Sequence, residues 1–395
     1  MTKKRNAGAS KPETFDVAVI GAGPLGQIAA LSLADIGHNV ALIGPQAPDD
    51  TRTTAILMDG IKRLSSLDVW SSLAPKIGAL KTMRLVDGSR RLIRAPETRF
   101  DASEVGLEAF GYNIRNRDLN EAFTARIAGD DRIRKFEEFL DADPEFGGSS
   151  IRLSLPSGVE IDASFVVAAD GRRSKLREAL QITARTWSYP QTALVMSLAH
   201  SRPHNNVSTE FHTETGPFTL VPLEDGKSSL VWVERPETAL EILSFEPDRI
   251  AAAIEKKSHF LLGDVTVESD VQTYPMTGLI ATRFGDRGIA LVGEAGHVFP
   301  PIGAQGMNLG FRDIEALLHL VTRGGLDDPV GMSKRYSTAR MGDVSARTGA
   351  VDILNRSLLT DFLPVHLTRG LALHVSSQIP FLRQLLMRQG LGARA

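Results

Sequence analysis

Gly21-Ala22-Gly23-Pro24-Leu25-Gly26 is the first segment whose residue types and spacing can do chemistry. It is a GxGxxG set between a β-rich run, Phe15-Asp16-Val17-Ala18-Val19-Ile20, and an Ala- and Leu-rich stretch from Ile28 to Ile36. In such a turn the first glycine permits the bend and the second lets a pyrophosphate reach the backbone. The third lets helix and strand pack closely, while the helix N-terminus offers N–H donors and a positive dipole. The hexapeptide alone is a weak signal, because glycine turns also serve packing; set between strand and helix, it points to a bound dinucleotide. An acidic residue about 20 residues further on usually bonds the adenosine ribose. That place reads Ile43-Gly44-Pro45-Gln46 here, which leaves Asp49, Asp50 or the backbone for the task. Two later segments carry the same glycine-rich character. Asp170-Gly171 closes the apolar run Phe165–Ala169, and Gly293-Glu294-Ala295-Gly296-His297 precedes Pro300-Pro301 and Gly303-Ala304-Gln305-Gly306-Met307-Asn308.

Other chemistries find little footing. The chain has no cysteine, which removes disulfides, thiolate metal sites and Cys nucleophiles together. It has no GxSxG, HExxH or GxxxxGK[ST]. His200, His204 and His212 are close in sequence without convincing carboxylate partners, so no metal site is predicted. Lys and Arg number 45 against 47 Asp and Glu in 395 residues, a net charge of −2 that argues against a nucleic-acid partner. With 42% hydrophobic and 23% charged residues the composition is that of a soluble globular protein of two or three domains. No run approaches the ~18 apolar residues of a membrane span. The basic N-terminus has no apolar core of the secretory kind, so a cytoplasmic place is expected.

The elements that must position these residues follow from the pattern. Strand, glycine turn, helix closed by Gly37, and a second apolar run Asn39–Ile43 make a βαβ unit and hence a parallel sheet. Phe165–Ala169 and Gly288–Gly293 read as further buried strands. Between Trp187 and about Thr277 short alternating runs such as Phe218–Val221 and Ser229–Val233 predict an antiparallel sheet, and a helix-rich stretch follows from Asn308. The expected fold is α/β: a doubly wound, Rossmann-like domain with an inserted β-rich domain and a helical C-terminal tail.

Four segments together resemble the FAD-dependent aromatic-ring monooxygenases of the p-hydroxybenzoate hydroxylase type. They are the glycine motif, Asp170–Arg177 against that family's DGxxSxxR, Gly293–Gly310 against GDAAHxxxPxxGxGxN, and Asn116-Arg117-Asp118-Leu119 against Arg-x-x-Leu. The departures are Glu294 for Asp, Ala304 for Gly and Asn116 for Arg. Arg52-Thr53-Thr54-Ala55-Ile56, Gly216-Pro217-Phe218 with Pro222-Leu223, and the ending Phe381–Gly390 are similar to the subgroup that hydroxylates polyprenylated phenols in ubiquinone biosynthesis.

The resemblance implies FAD, held by Gly21, Gly23, Pro24, Leu25, Gly26, Arg52, Thr53, Arg117, Asp170, Glu294, Gly303, Gly306, Met307 and Asn308. Arg52 and Arg117 suit the pyrophosphate or flavin edge, a surface salt bridge being the alternative. Glu294 suits ribityl hydroxyls, and the turn from Gly303 to Asn308 suits the negative charge of a reduced ring. Asp170 caps a helix or meets the flavin, and the neighbouring basic run, Arg177 included, reads as mostly a solvated face. No catalytic base is named, and His297 reads as structural. The implied reaction is hydroxylation of a lipophilic phenol by O2 through a flavin C4a-hydroperoxide, with electrons from NAD(P)H directly or through a redox partner. The alternatives are a hydroxylase of a small soluble phenol and a non-catalytic flavin-binding subunit of a biosynthetic complex.

The domains are expected as a disordered lead-in over 1–14, an FAD-binding domain from 15–186 and 278–360, and a β-rich substrate domain over 187–277. Some strands of the latter are expected within 80–112. The tail is expected over 361–395, and from Phe362 onward Arg369, Arg383, Arg388 and Arg394 are its only charged side chains. Its apolar stripe reads either as core cover or as a surface for membrane headgroups or a ubiquinone-biosynthesis complex.

Overall fold

The computed structural model describes residues 11–46, 50–89, 96–148, 150–224, 226–300 and 305–359, with backbone alone for 305 and 350–359. Gly303 and the tail from 361 lie outside the described residues.

The strand Glu13–Ile20 is the centre of a sheet whose five parallel strands run in the order Ile289–Leu291, Glu160–Ala168, Glu13–Ile20, Val40–Ile43 and Ile133–Phe136. Its near-continuous apolar sequence has a simple cause. Val17 and Val19 enter the apolar cluster on one face, while Ala18 and Ile20 enter a separate cluster on the other. A strand covered on both faces has no solvent side on which to place polar residues. The helix that follows is Pro24–Asp35, capped by Gly23 with Pro24 at its first position, so it starts four residues earlier than its Ala and Leu content suggests. Proline belongs at that position, where its missing N–H costs nothing and its φ is already helical. Every residue from Gly26 to Ala34 is buried, which wedges this helix inside the molecule.

A second, nine-stranded sheet runs His297–Val298, Gln272–Ala281, Ala184–His200, Lys227–Glu234, Gly216–Pro222, Val207–Thr213, Thr82–Asp87 and Thr98–Asp101, with Val265–Val267 off that path. It is antiparallel except where Val207–Thr213 pairs in parallel with Thr82–Asp87. Leu194, Met196, Phe218, Leu220, Leu230 and Trp232 form one face and are buried with Ala239, Ile242, Ile250 and Ile254. Those last four lie on the helices Pro236–Leu243 and Pro247–Lys257. The alternating pattern of this region does not reveal the two helices. Each is short and opens on a proline, which reads as a turn until its place at the first helical position is seen.

A small sheet of Thr53–Leu57, Gly111–Arg115 and Ile77–Ala79 lies between the two large ones. A Cβ at Gly78 would sit 2.2 Å from the carbonyl oxygen of Pro222, so the small sheet touches the nine-stranded one backbone to backbone. The helices Gln305–Val321 and Pro329–Leu359 complete the described fold. Among the described residues no helix is long and apolar enough to cross a membrane.

Candidate cofactor and active site

The glycine turn has three different glycines. Gly21 has φ +112°, and a Cβ there would come within 2.2 Å of the Ala169 carbonyl oxygen. At Gly26 a Cβ would fall 1.8 Å from the Gly21 carbonyl oxygen. At Gly23 it would meet nothing within 4 Å among the described residues. Two glycines therefore let protein pack on protein, and one leaves open space. The open one caps a helix with no side-chain cap and no acidic residue in its first turn, so its end is electrostatically free for an anion. Gly44, where the ribose acid is usual, has φ +157°, and a Cβ there would lie 2.7 Å from Ala22 N. That end of the second strand touches the turn itself.

Leu25 ties this turn to the other motifs. Cβ atoms at Gly293 and Gly310 would come within 2.4 Å and 2.2 Å of its Cδ1. Gly293 opens a one-turn helix, Gly293–Ala295, in which Glu294 is exposed. Gly306 is exposed and Met307 half-buried on the first turn of Gln305–Val321. Asn308 is buried; its Oδ1 accepts the Leu57 N–H at 2.9 Å and its Nδ2 donates to the Ala55 carbonyl at 2.8 Å. Its side chain thus fastens the helix start to the strand Thr53–Leu57.

That strand brings in the arginine segment. Arg52 donates from Nε at 2.8 Å and from Nη2 at 2.6 Å to Asp50, and its guanidinium lies 5.0 Å from the centre of the Tyr274 ring. Asn116 donates to Asp50 at 2.8 Å and accepts from the Thr54 hydroxyl at 2.6 Å. Burial works to raise the Asp50 carboxyl, but Arg52 and Asn116 hold it below its ordinary range. Asp50 is therefore committed to Arg52 and Asn116 and does not replace the ribose acid; Asp49 lies outside the described residues. The Thr53 hydroxyl is spent on Ser229, 2.9 Å away, joining the small sheet to the nine-stranded one. Arg117 is exposed on the first turn of Asn116–Ala128, and it is Asn116 that turns inward. Arg115 instead pairs with Glu224.

Of the two jobs open to it, Asp170 does the one at the helix start. Its Oδ2 accepts the Leu176 N–H at 3.3 Å at the start of the helix Lys175–Ala179, while its buried Oδ1 has no hydrogen-bond partner among the described residues. Burial pushes this carboxyl above its ordinary range. Ser174 is the N-cap proper. Of the basic run, Arg172, Arg173 and Lys175 are exposed, but Arg177 is buried. It donates to the Ala295 carbonyl at 2.8 Å and the Arg172 carbonyl at 2.9 Å, binding the Asp170 loop to the Gly293 turn. The solvated-face reading fails there, and the three-residue spacing from the Ser174 cap was the available signal. His200 and His204 bond to Ser228 and to the Leu223 carbonyl, and His212 pairs with Glu210.

One side of the nine-stranded sheet faces this assembly. Val195 pairs with Val231, Val231 with Thr219 and Thr219 with Glu210, so the four share a face. Ser229, two residues from Val231, is on that face and meets Thr53. Val195, Val231, Thr219 and Val221 are half-buried, unlike the fully packed opposite face.

The FAD binding domain family matches residues 14–323. A ubiquinone hydroxylase of Rhodospirillum rubrum, UbiL, is 30% identical over 97% of this chain and 91% of its own. The 3-demethoxyubiquinol 3-hydroxylase of Escherichia coli is 27% identical over 95% of this chain and 98% of its own. The crystal structure of p-nitrophenol 4-monooxygenase PnpA from Pseudomonas putida superposes with a TM-score of 0.76 at 16% identity, covering 97% of this chain and all of that one. With open space at Gly23, an uncapped helix end and an unpartnered Asp170 oxygen, the residues present fit that cofactor, and the chain belongs to the FAD binding domain family as an FAD-dependent aromatic-ring monooxygenase related to the hydroxylases of ubiquinone biosynthesis.

Proposed function

We propose that this protein hydroxylates the ring of a polyprenylated phenol in ubiquinone biosynthesis, using FAD, O2 and electrons from NAD(P)H, directly or through a redox partner. The observation that carries the reading is the meeting of two glycine motifs at Leu25, Gly21–Gly26 and Gly293–Gly310, which leaves Gly23 and Glu294 facing open space among the described residues. FAD, when bound, supplies the oxidation–reduction and oxygen chemistry. The chain's own residues bind, orient and exclude water. The N–H groups beyond Gly23 take the pyrophosphate, and Arg52 lies at its edge. Glu294 accepts hydrogen bonds from ribityl hydroxyls. The start of Gln305–Val321 directs N–H groups at negative charge on the reduced ring. The half-buried face of Val195, Val231 and Val221, with Thr219 and the His212-paired Glu210 beside them, forms the wall against which an aromatic ring is held dry.

Residues 15–186 and 278–360 are assigned to cofactor binding and 187–277, with strands from 80–112, to the substrate. The tail, whose charged residues from Phe362 onward are all arginines, is assigned to the membrane surface or to partner enzymes, where a lipophilic substrate is met. Mass spectrometry of quinone precursors in cells lacking this protein tests the reading. Accumulation of a prenylated phenol one hydroxyl short supports it and names the ring position. An unchanged quinone pool, with NAD(P)H turnover on a small soluble phenol, points to a degradative hydroxylase. An unchanged pool without turnover on any phenol points to the non-catalytic subunit.

A further inference from the structure

A buried charged cluster stands just behind the Gly293 turn. Asp313, on Gln305–Val321, is 0% exposed. Its Oδ2 accepts the Gly293 N–H at 2.8 Å and lies 2.7 Å from Nε2 of His297, and its Oδ1 accepts from Nε of Arg340 at 2.6 Å. Arg340, on the long helix Pro329–Leu359, is 4% exposed and also donates to Asp343 at 2.7 Å. Nδ1 of His297 is buried with no hydrogen-bond partner among the described residues, so the contact of Nε2 with Asp313 is the ring's one hydrogen bond there. Phe284 and Phe299 flank that ring.

Desolvating two charges is expensive, and an apolar replacement of such a pair is often no less stable. What this pair does that an apolar pair cannot is hold a backbone N–H. Gly293 has φ +61°, in the left-handed region that favours glycine, and it packs against the tip of Leu25, which a Cβ there would displace. Its peptide is therefore fixed on one side by the glycine motif and on the other by Asp313. Glu294, the next residue, is exposed. The direction in which its carboxylate leaves the turn is set by the Gly293 peptide.

We propose that Asp313, clamped by Arg340 and His297, is a positioning residue for the cofactor: it locks the Gly293 peptide so that Glu294 faces the ribityl hydroxyls. The proposal rests on the assignment of Gly293 and Glu294 to the FAD site. Asp313 does not touch the cofactor, and its charge is balanced by Arg340 inside the fold.

The test uses the full-length chain with FAD titrated into apoprotein. In Asp313→Asn an amide of the same shape faces three donors and must turn its NH2 on one of them. We expect the FAD dissociation constant to rise about tenfold or more and the visible spectrum of bound flavin to shift. Asp343→Asn, which disturbs the outer partner of Arg340 and its bond to Arg347 but leaves Asp313 in place, lowers thermal stability but leaves the constant and spectrum unchanged. In a Glu294→Gln background Asp313→Asn adds little, because both act through one contact. If Asp313→Asn fails to fold, His297→Gln and His297→Leu replace it. The amide retains a donor for Asp313 and FAD affinity, and the leucine loses both. Wild-type affinity in Asp313→Asn, or in His297→Leu where that pair is used, overturns the proposal, as does full additivity with Glu294→Gln. Should Gly23→Ala and Glu294→Gln both bind FAD normally, the site assignment itself fails and the proposal falls with it.

Discussion

Gly23 and Gly26 belong to one motif, yet substituting each with alanine should have different consequences for stability. A Cβ at Gly26 would lie 1.8 Å from the Gly21 carbonyl oxygen and 2.9 Å from its carbonyl carbon, so the turn must move before the side chain fits. Overpacking of this kind costs about 1–3 kcal/mol, and the displacement also misplaces the N–H groups that await the pyrophosphate. At Gly23 the Cβ meets nothing within 4 Å, and φ −71° with ψ 175° suits any L-residue. Losing glycine's freedom in the unfolded chain favours the variant by about 0.4–1 kcal/mol. Alanine is a poorer N-cap by a similar amount, so the two effects nearly cancel. Folding of Gly23→Ala should therefore match the wild type. Its methyl group occupies the space where the pyrophosphate approaches, and loss of one hydrogen bond to a charged group is worth about 1.5–3 kcal/mol. FAD should then bind about 10- to 150-fold more weakly. Melting of the apoproteins followed by circular dichroism, with flavin titration by fluorescence, separates the two variants. Gly26→Ala should lose stability and affinity together, and Gly23→Ala affinity alone. Wild-type FAD affinity in Gly23→Ala would refute the reasoning, since the open flank would then not be where the cofactor comes close.

Gly306→Pro removes one N–H from the first turn of Gln305–Val321, where proline is tolerated and a Cβ meets nothing within 4 Å. If about half of a ~3 kcal/mol oxyanion-type donor is expressed there, the two-electron flavin potential falls by about 30 mV with FAD still bound, and an unchanged potential in redox titration would place the charge elsewhere. Against burial, the Arg340 and Arg347 guanidinium groups hold the Asp343 carboxyl below its ordinary 3.8, as Arg52 and Asn116 hold Asp50. A carboxyl whose pKa is lower folded than unfolded gives stability that is complete above 3.8 and lost as pH falls through the folded value. Urea unfolding should thus weaken below about pH 4, with a shallower acid limb in Asp343→Asn.

The parallel sheet was legible because Val17–Ile20 and Phe165–Ala168 are apolar on both faces, a pattern only a doubly covered strand needs. The two helices on the nine-stranded sheet were hidden. Ala239 with Ile242, and Ile250 with Ile254, are helical pairs too few to stand out between alternating strands. The parallel pairing of Thr82–Asp87 with Val207–Thr213 joins segments over a hundred residues apart, and no local pattern reports such a partner.

The same distinction divides the site. Glycines announce themselves because they answer to local constraints: a φ of +112° at Gly21, or a carbonyl 1.8 Å from a Cβ at Gly26. Charged residues declare nothing about burial. Arg177 sits in a run with Arg172, Arg173 and Lys175, and only the carbonyl of Ala295, far along the chain, makes it an interior tie. Asn116 looked like a lost arginine, but an amide is what can donate to Asp50 and accept from Thr54 at once. Asp313 and Arg340 lie on helices whose local pattern explains neither, and each is intelligible only opposite the other. Residues that let the cofactor approach can thus be read one at a time. Those that hold the approach in place act in pairs drawn from distant segments, and the fold has to bring them together before their chemistry can be seen.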